Sequence, residues 1–166
     1  MNYFWLDANA IVKQYVTEIG TPLINHLFSR VSLNRIFCLF DSMDETRHVF
    51  VRKKNDGRIT ITEFNQAIQR FKTQFIDQIK VKQVNPTQNQ KIASRPLIEV
   101  HSINSTDAYI LQCALDEADK LRTAGDDLIF VSSDRRPLTA ATNEGLLTFN
   151  PETGNQTDLD ALINSP

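Results

Sequence analysis

The sequence predicts an α/β fold, a three-layer α/β/α sandwich around a short central sheet that is mostly parallel. Short apolar runs without alternation, typical of strands buried on both faces, occur at residues 3–6, 36–40, 128–132 and 146–149. Stretches with apolar residues at helical spacing separate most of these runs. Strands that alternate with helices form parallel sheets covered on both faces, so we expect that architecture here.

Spacing and end signals predict the helices of the first half. Apolar residues at helical spacing run from Ala8 to Ile19, where Gly20 breaks the pattern, and a second helix is expected around residues 23–28. Capping-box patterns open two further helices, at Ser42–Glu45 and at Thr60–Glu63.

The second half contains one stretch with a weak pattern, residues 79–103. There Ile79, Val81 and Val84 indicate an extended piece, and two prolines, Pro86 and Pro96, indicate two helical pieces. Beyond it, a helix is expected to begin at 104–106 and a short one at Pro137. We place the domain at residues 1–150, followed by a polar tail over 151–166 that can dock a last short helix.

Composition narrows the class of protein. A length of 166 residues fits one domain with a real core. The apolar runs are too short to span a membrane, and no basic residue precedes the first one, so we expect a cytoplasmic protein without a signal peptide. The net charge of −2 argues against nucleic-acid binding by bulk positive charge alone. Two cysteines in apolar surroundings and three scattered histidines argue against a zinc site.

Acidic residues fall where the predicted strands end. Asp7 closes the first strand, and Asp134 follows the strand at 128–132. Asp41 closes the second strand, with Glu45 just after it. In open α/β sheets the active site lies beyond the carboxyl ends of the strands, so these acids are expected at the edge that carries the chemistry.

Asp107 lies in the first turn of a predicted helix and heads its core-facing stripe. At about 100° per residue, Ala114 and Ala118 fall within roughly 20° of it on the helical wheel. An acid in that position is unfavourable unless a cation or hydrogen bonds stabilise it. Each acid also has a purely structural interpretation: Asp7 as a helix cap, Glu45 as a capping-box glutamate, Asp107 as a helix-dipole partner and Asp134 as a turn residue.

A site of carboxylates without Cys or His favours Mg²⁺ or Mn²⁺. Such sites commonly serve phosphoryl chemistry, because the metal neutralises phosphate charge and activates water. The four acids therefore indicate a metal-dependent reaction on phosphate.

Four segments, taken in order, resemble PIN domains, and most of all the VapC-type toxin ribonucleases. The segments are Phe4–Lys13 with Asp7-Ala-Asn9, Ser42–Phe50 with the basic residues that follow it, Ser105–Ala114, and Phe130–Leu138. Glu18, ahead of Gly20, also matches a glutamate common in that branch. The resemblance covers roughly residues 3–150, and Pro96 departs from it where the family usually has an uninterrupted helix. Asp41 and Asp44 are alternative ligands near Glu45, which fits the motif best.

The resemblance implies an endoribonuclease that depends on Mg²⁺ or Mn²⁺, held by Asp7, Glu45, Asp107 and Asp134. Asn9 and Ser133 would orient waters or ligands, and Lys13, Arg135 and Arg136 would bind RNA phosphates. It also implies a homodimer, silenced by an antitoxin protein that inserts a side chain into the acidic pocket.

Two other interpretations remain open. A PIN-like module can keep the pocket and yet only bind RNA or a protein partner. A phosphatase of the haloacid-dehalogenase type needs Asp-x-Asp after its first strand, whereas this sequence has Asn9 at the third position and lacks a matching lysine motif.

Overall fold

A five-stranded sheet in which every neighbouring pair is parallel forms the centre of the molecule. The computed structural model describes residues 1–77 and 80–165. The strands are β1 (Asn2–Leu6), β2 (Ile36–Leu39), β3 (Lys82–Val84), β4 (Asp127–Val131) and β5 (Leu147–Phe149), in the order β3-β2-β1-β4-β5. All four predicted strands are confirmed, and β3 falls on the predicted extended piece, although Ile79 lies outside the described residues.

Helices cover both faces of this sheet. They are α1 (Ala8–Val12), α2 (Thr21–Arg30), α3 (Asp41–Asn55), α4 (Ile61–Phe71), α5 (Gln88–Ala93), α6 (Arg95–His101), α7 (Ser105–Arg122), α8 (Arg135–Asn143) and α9 (Gln156–Asn164), with a 3₁₀ turn at Leu33–Arg35 and a π-helical turn at Lys72–Ile76. The two helical pieces expected within 79–103 are therefore confirmed as α5 and α6, and Pro96 is accommodated at the start of α6.

The two faces of the sheet build two separate cores. Phe4 and Leu6 point to the side covered by α1–α4 and α9, and Trp5 between them points to the side covered by α6, α7 and α8. All three side chains are fully buried. This alternation on a strand that is apolar throughout is what a strand covered on both faces requires, and it confirms the predicted three-layer sandwich.

The first helix is shorter than its sequence pattern predicts. Regular helix ends at Val12, and the next backbone N–H groups bond to carbonyls three residues back, which tightens the chain. Tyr15 and Val16 still reach the core, but Ile19 is 72% exposed. The predicted helix from Ala8 to Ile19 is therefore wrong beyond Val12, because the tightened turns keep the apolar contacts without continuing the helix.

One of the two predicted capping boxes forms and the other does not. Thr60 and Glu63 make reciprocal hydrogen bonds at the start of α4. Helix α3, however, begins at Asp41 directly after β2, so Ser42 lies inside the helix and cannot cap it. The predicted Ser42–Glu45 box is wrong, and Glu45 lies in the second turn of α3 with its carboxylate not engaged at the helix start.

The chain ends in a helix that closes the first core. Leu159 and Ile163 of α9 are buried, and α9 packs on α2 and β1. The Asn2 side-chain amide at the start of β1 donates to the carbonyl oxygen of Leu162 at 2.8 Å. The first strand and the last helix are thus held together. Within the described ranges, no helix is both long and apolar enough to cross a lipid bilayer.

Candidate active site

The acidic residues predicted for the site lie beyond the carboxyl ends of the central strands. The Asp7 backbone continues the ladder of β1, with its N–H donating to the Val131 carbonyl at 3.1 Å. Ser132 continues β4 in the same way, donating to the Phe149 carbonyl at 3.2 Å. These bonds fix the positions of two adjacent strand ends, one carrying Asp7 and the other leading to Asp134.

Asp7 is buried and both oxygens of its carboxylate accept hydrogen bonds. One oxygen accepts from the backbone N–H of Ala8 at 2.8 Å, so Asp7 does cap α1. The other accepts from the Asn9 side-chain amide at 2.6 Å and from the Ser132 hydroxyl at 2.9 Å. Two side chains from different strand ends therefore hold the carboxylate of Asp7 in one orientation.

Ser132 is a site residue that was not predicted from the sequence. Besides donating to Asp7, its hydroxyl accepts from the Asn9 amide at 3.0 Å and from the backbone N–H of Asp134 at 3.1 Å. It is fully buried at the junction of the two strand ends. The signal was its position, the last residue of an apolar run and two before an acid, a spacing that favours a hydroxyl-to-backbone turn.

Asn9 and Ser133 occupy the places between these groups. The Asn9 side-chain oxygen accepts from the Ser133 backbone N–H at 2.7 Å, which joins the loop after β4 to the first turn of α1. The Ser133 hydroxyl is buried without a hydrogen-bond partner among the described residues, and Ser133 lines the cavity in front of the acids. A role of either residue in orienting waters or ligands stays a prediction.

Asp134 and Asp107 lie at the starts of helices as well as at the carboxyl edge of the sheet. Asp134 caps α8, accepting from the Arg136 N–H at 3.0 Å, and α8 therefore starts at Arg135 rather than at Pro137. Asp107, in the first turn of α7, accepts from the Asn104 side-chain amide at 2.8 Å. Asp7, Asp107 and Asp134 thus also fill the structural roles that their sequence contexts allowed, whereas Glu45 does not.

Burial and the charges of neighbouring acids raise the pKa values of three of the four acids. Burial, and next the charge of Asp134, raise the pKa of Asp7, against its hydrogen bonds. Burial raises the pKa of Asp107 to about 6, and the charges of Asp7 and Asp134 add to the increase. The pKa of Glu45 is raised by burial and by the charges of Asp7 and Asp107. The four side chains, called the acidic cluster below, thus lie within electrostatic range of one another.

Within residues 1–77 and 80–165, none of the four acids forms an ion pair within 4 Å. Arg52 and Arg136 lower the pKa values of Glu45 and Asp107 only from a distance. Across the same residues, no three acids, histidines or cysteines stand close enough together to hold a metal ion. The donors nevertheless fit Mg²⁺ or Mn²⁺ in kind, since they are hard carboxylate oxygens that repel one another.

A cavity of about 480 Å³ opens in front of Glu45 and Asp134, and its wall contains a network of paired charges. The Lys13 ammonium, only 3% exposed, donates to Glu152 at 2.6 Å and lies 3.5 Å from Glu18. Glu18 also pairs with Lys53 of α3. Lys13 is therefore engaged within the wall, and its contact with RNA phosphate stays a prediction.

Other basic residues surround the acidic cluster. Arg52 and Arg58, which follow the second motif, line the cavity, although the sequence analysis did not select them as site residues. Arg135 and Arg136 are exposed on the other side, at the start of α8, where they line a smaller hollow of about 300 Å³. The acidic cluster thus lies between two groups of arginines.

Solved structures resemble this chain closely in fold and weakly in sequence. FitAB bound to the IR36 DNA fragment matches with a TM-score of 0.64 at 15% identity, over 92% of this chain and 98% of that one. FitAcB from Neisseria gonorrhoeae matches with a TM-score of 0.60 at 17% identity, over 91% and 99%. PAE2754 from Pyrobaculum aerophilum matches with a TM-score of 0.59 at 14% identity, over 96% and 94%.

The chain has the PIN-domain fold. The predicted PIN-like architecture is therefore confirmed over more than nine-tenths of the chain. No sequence profile of a known family and no curated protein matches the chain. At identities of 14–17%, the likeness establishes the PIN fold, and the activity has to be argued from the residues of the site.

Proposed function

We propose that this PIN-fold chain is an endoribonuclease that depends on Mg²⁺ or Mn²⁺ and hydrolyses RNA phosphodiester bonds. The observation that carries the proposal is the acidic cluster, four carboxylates from four elements without an ion-pair partner among the described residues, in which burial and neighbouring acids raise the pKa values of Asp7, Glu45 and Asp107. Such an arrangement is unfavourable for the fold alone. A divalent cation is the partner that removes the repulsion.

Asp7, Glu45, Asp107 and Asp134 would hold the ion. When bound, it would neutralise phosphate charge and lower the pKa of an attacking water. Ser132 and Asn9 keep the Asp7 carboxylate in place, so that ligand is preorganised. The side chains of Glu45 and Asp134 line the cavity and are not packed in the core, so they can move toward the charge.

RNA is the substrate that the surroundings of the cluster favour. A strand that reaches the acidic cluster passes Arg52 and Arg58 on one side and Arg135 and Arg136 on the other. These residues offer positioning contacts to phosphates without reading the bases. With a net charge of −2, local arginines and the bound cation would have to attract the polyanion.

We further propose that the chain is the toxin of a toxin–antitoxin pair, and that it acts in the cytoplasm as a homodimer. A matching structure of the same fold is FitAB bound to a DNA fragment. An antitoxin that places a basic side chain among the four acids would remove their repulsion just as a metal ion would. Co-purification with the product of a neighbouring small gene, and the mass of the particle in solution, test these two statements.

The nuclease is tested by incubating the purified protein with single-stranded RNA in Mg²⁺, in Mn²⁺ and in chelator. Cleavage that requires the metal and is lost in Asp7→Asn supports the proposal. The matched control is Asp119→Asn on α7, whose side chain is 79% exposed and which should cleave like the wild type. Cleavage that persists in chelator, or in Asp7→Asn, contradicts it.

A binding module without turnover is the second candidate. The distances between the acids favour this binding module, because within the described residues no three of them stand close enough together to hold a metal ion. RNA binding that is unchanged by metal, with no cleavage at any Mg²⁺ or Mn²⁺ concentration, would establish this module and exclude the nuclease.

A further inference from the structure

A second cavity lies beside the one at the acidic cluster, and Arg58 lines both. It measures about 280 Å³ and lies between the turn after α1 and helix α4, with Tyr15, Thr17 and Arg70 in its wall. We infer, on the basis of the proposed function, that an RNA strand at the acidic cluster continues past Arg58. A neighbouring phosphate then occupies this second cavity, held by Arg58 and Arg70.

Arg58 is held at the boundary by its backbone. Its N–H and that of Ile59 donate to the Lys53 carbonyl, closing the end of α3, and Gly57 before it has φ +70°. Ile59 is buried, which fixes the turn. The Arg58 side chain itself is 67% exposed, and its nearest carboxylate, the exposed Asp56, is 3.8 Å away. Such a pair is weak in water, so the guanidinium can exchange it for a phosphate.

Arg70 is held from the other wall of the cavity. Its guanidinium lies 5.5 Å from the centre of the Tyr15 ring and donates to the Gln14 carbonyl at 3.1 Å. Among residues 1–77 and 80–165, no carboxylate lies within 4 Å of it. A guanidinium fixed in this way loses little freedom when it binds an anion.

The cavity also contains one acid, and that acid is engaged elsewhere. The Glu63 carboxylate accepts from the Thr60 N–H at 2.7 Å and from the Thr60 hydroxyl at 2.8 Å, as part of the capping box of α4. It is therefore committed to the helix start. Two guanidiniums, with Thr17 and Gln66 as uncharged donors, form a wall suited to a phosphate.

Continuity with the acidic cluster identifies the occupant. Glu45 and Asp134 line the first cavity together with Arg58, so a strand with its scissile phosphate near those acids reaches Arg58 next. On the proposed function the chain at that cluster is RNA, and its regularly spaced backbone phosphates place a further anion next to Arg58. We therefore assign the second cavity to the RNA backbone.

The test measures binding of labelled single-stranded RNA to the wild-type chain in chelator, at several salt concentrations. Arg58→Ala, Arg58→Glu and Arg70→Ala are compared with Arg30→Ala. Arg30 ends α2 just before the chain enters β2 from the edge opposite the acids. Loss of one phosphate contact should weaken binding several-fold and reduce the salt slope by about 0.7, uniformly across sequences. Arg30→Ala should change neither quantity.

A second test varies the length of the RNA oligomer and measures binding again. A dinucleotide that only reaches the first cavity should bind Arg70→Ala and wild type equally, whereas a longer oligomer should discriminate them. Thermal unfolding checks that Arg70→Ala is folded. If Arg70→Ala does not fold, Arg58→Glu still tests the inference, because the Arg58 side chain is exposed.

The outcomes separate this inference from the proposed function. If wild type cleaves RNA but the Arg58 and Arg70 variants bind and cleave like Arg30→Ala, the second cavity is not used and the nuclease stands. If RNA binding depends on both arginines but no metal supports cleavage, the inference stands and the nuclease fails. If a polyglutamate peptide binds through Arg58 while RNA binding is indifferent to it, the cavity is a protein surface and the inference is wrong.

Discussion

Helix α7 carries four acids, and two of them, Asp107 and Glu117, lie in opposite surroundings. Asp107, in its first turn, faces Asp7 and Asp134, and burial and these charges raise its pKa to about 6. Glu117, about three turns further on, is buried more deeply, yet Lys82 and Lys120 donate to it at 2.5 and 2.8 Å. Burial alone would raise the pKa of Glu117, but these two bonds outweigh it and the pKa is lowered.

The two ends of α7 differ in whether the fold supplies a cation to the carboxylate. At Glu117 the fold supplies the cations that a buried carboxylate needs, so the residue requires no further explanation. At Asp107 the fold supplies more acids instead. Acids that the described part of the chain does not neutralise, and that lie together at the edge where α/β folds bind ligands, support the proposal of an external cation.

The largest expected effect is on the rate of RNA cleavage. Asp107→Asn should reduce kcat by about a thousandfold, because a metal site contributes several kcal/mol to the stabilisation of the transition state. Thermal stability without metal should stay the same or rise. The change removes the repulsion between Asp107 and the neighbouring acids, and the new amide oxygen can still accept the hydrogen bond from the Asn104 side chain. A variant that lost activity only because it unfolded would show a lower Tm and would contradict this assignment.

Metal binding should stabilise the chain, and this gain should depend on Asp107 but not on Glu117. Mn²⁺ at about a hundred times its Kd should add about 2.7 kcal/mol to the free energy of unfolding, measured by thermal or denaturant unfolding. Asp107→Asn should abolish the gain and Glu117→Gln should retain it. Because protons compete for Asp107 below its pKa of about 6, the gain should also shrink as the pH falls below that value. An equal gain in both variants would place the ion elsewhere.

Ser132→Ala should have an intermediate effect on activity. The change removes the hydroxyl that donates to Asp7 and accepts from Asn9 and from the Asp134 N–H. Groups that orient metal ligands typically contribute 10- to 100-fold, so we expect a loss of about that size in activity or in metal affinity. Ser29→Ala, at an exposed serine of α2, is the matched control, and an equal loss there would show that Ser132 has no special role.

A smaller effect is expected at the neutralised end of the helix. Glu117→Gln should lower the free energy of unfolding by about 1 kcal/mol, because two charge-assisted hydrogen bonds become neutral while the exposed lysines return to water. Cleavage and metal binding should be unchanged. If folded Glu117→Gln lost activity, Glu117 would also serve the reaction, and the difference proposed between the two ends of α7 would be wrong.

The smallest effect is the dependence of metal-free stability on pH. Asp107 binds its proton more tightly in the folded chain than unfolded, with a pKa of about 6 against 3.8. The folded state therefore holds more protons in that window, and stability should fall as the pH rises through it. Water screens this half-buried group, so the slope should be modest, and Asp107→Asn should flatten it. A slope of the opposite sign would mean that a cation partners Asp107.

Much of the fold could be predicted from the sequence because strand ends and apolar spacing are local signals. The apolar runs locate β1 and β4, and the acids that follow them must lie at the carboxyl edge once the sheet is parallel. The end of regular helix at Val12 could not be predicted, because Tyr15 and Val16 stay buried and keep the helical pattern of apolar residues.

The details of the site depend on long-range contacts that no local pattern encodes. Ser132 rather than Ser133 bonds to Asp7, because the register between β1 and β4 decides which hydroxyl faces the carboxylate. The burial of Lys13 depends on Glu152, which lies at the far end of the sequence. The resemblance selected the four acids as candidates, whereas Arg58 and Arg70 come together only when α3 and α4 are folded against α1.

The closure of β1 by α9 has a consequence for folding. The strand that precedes Asp7 pairs with β4, and the carbonyl that receives the Asn2 amide belongs to Leu162, 160 residues further along the chain. Contacts between such distant segments close long loops, so we expect them to form late in folding. On the proposed function, a partly folded chain would therefore have no activity toward RNA until these two segments have come together.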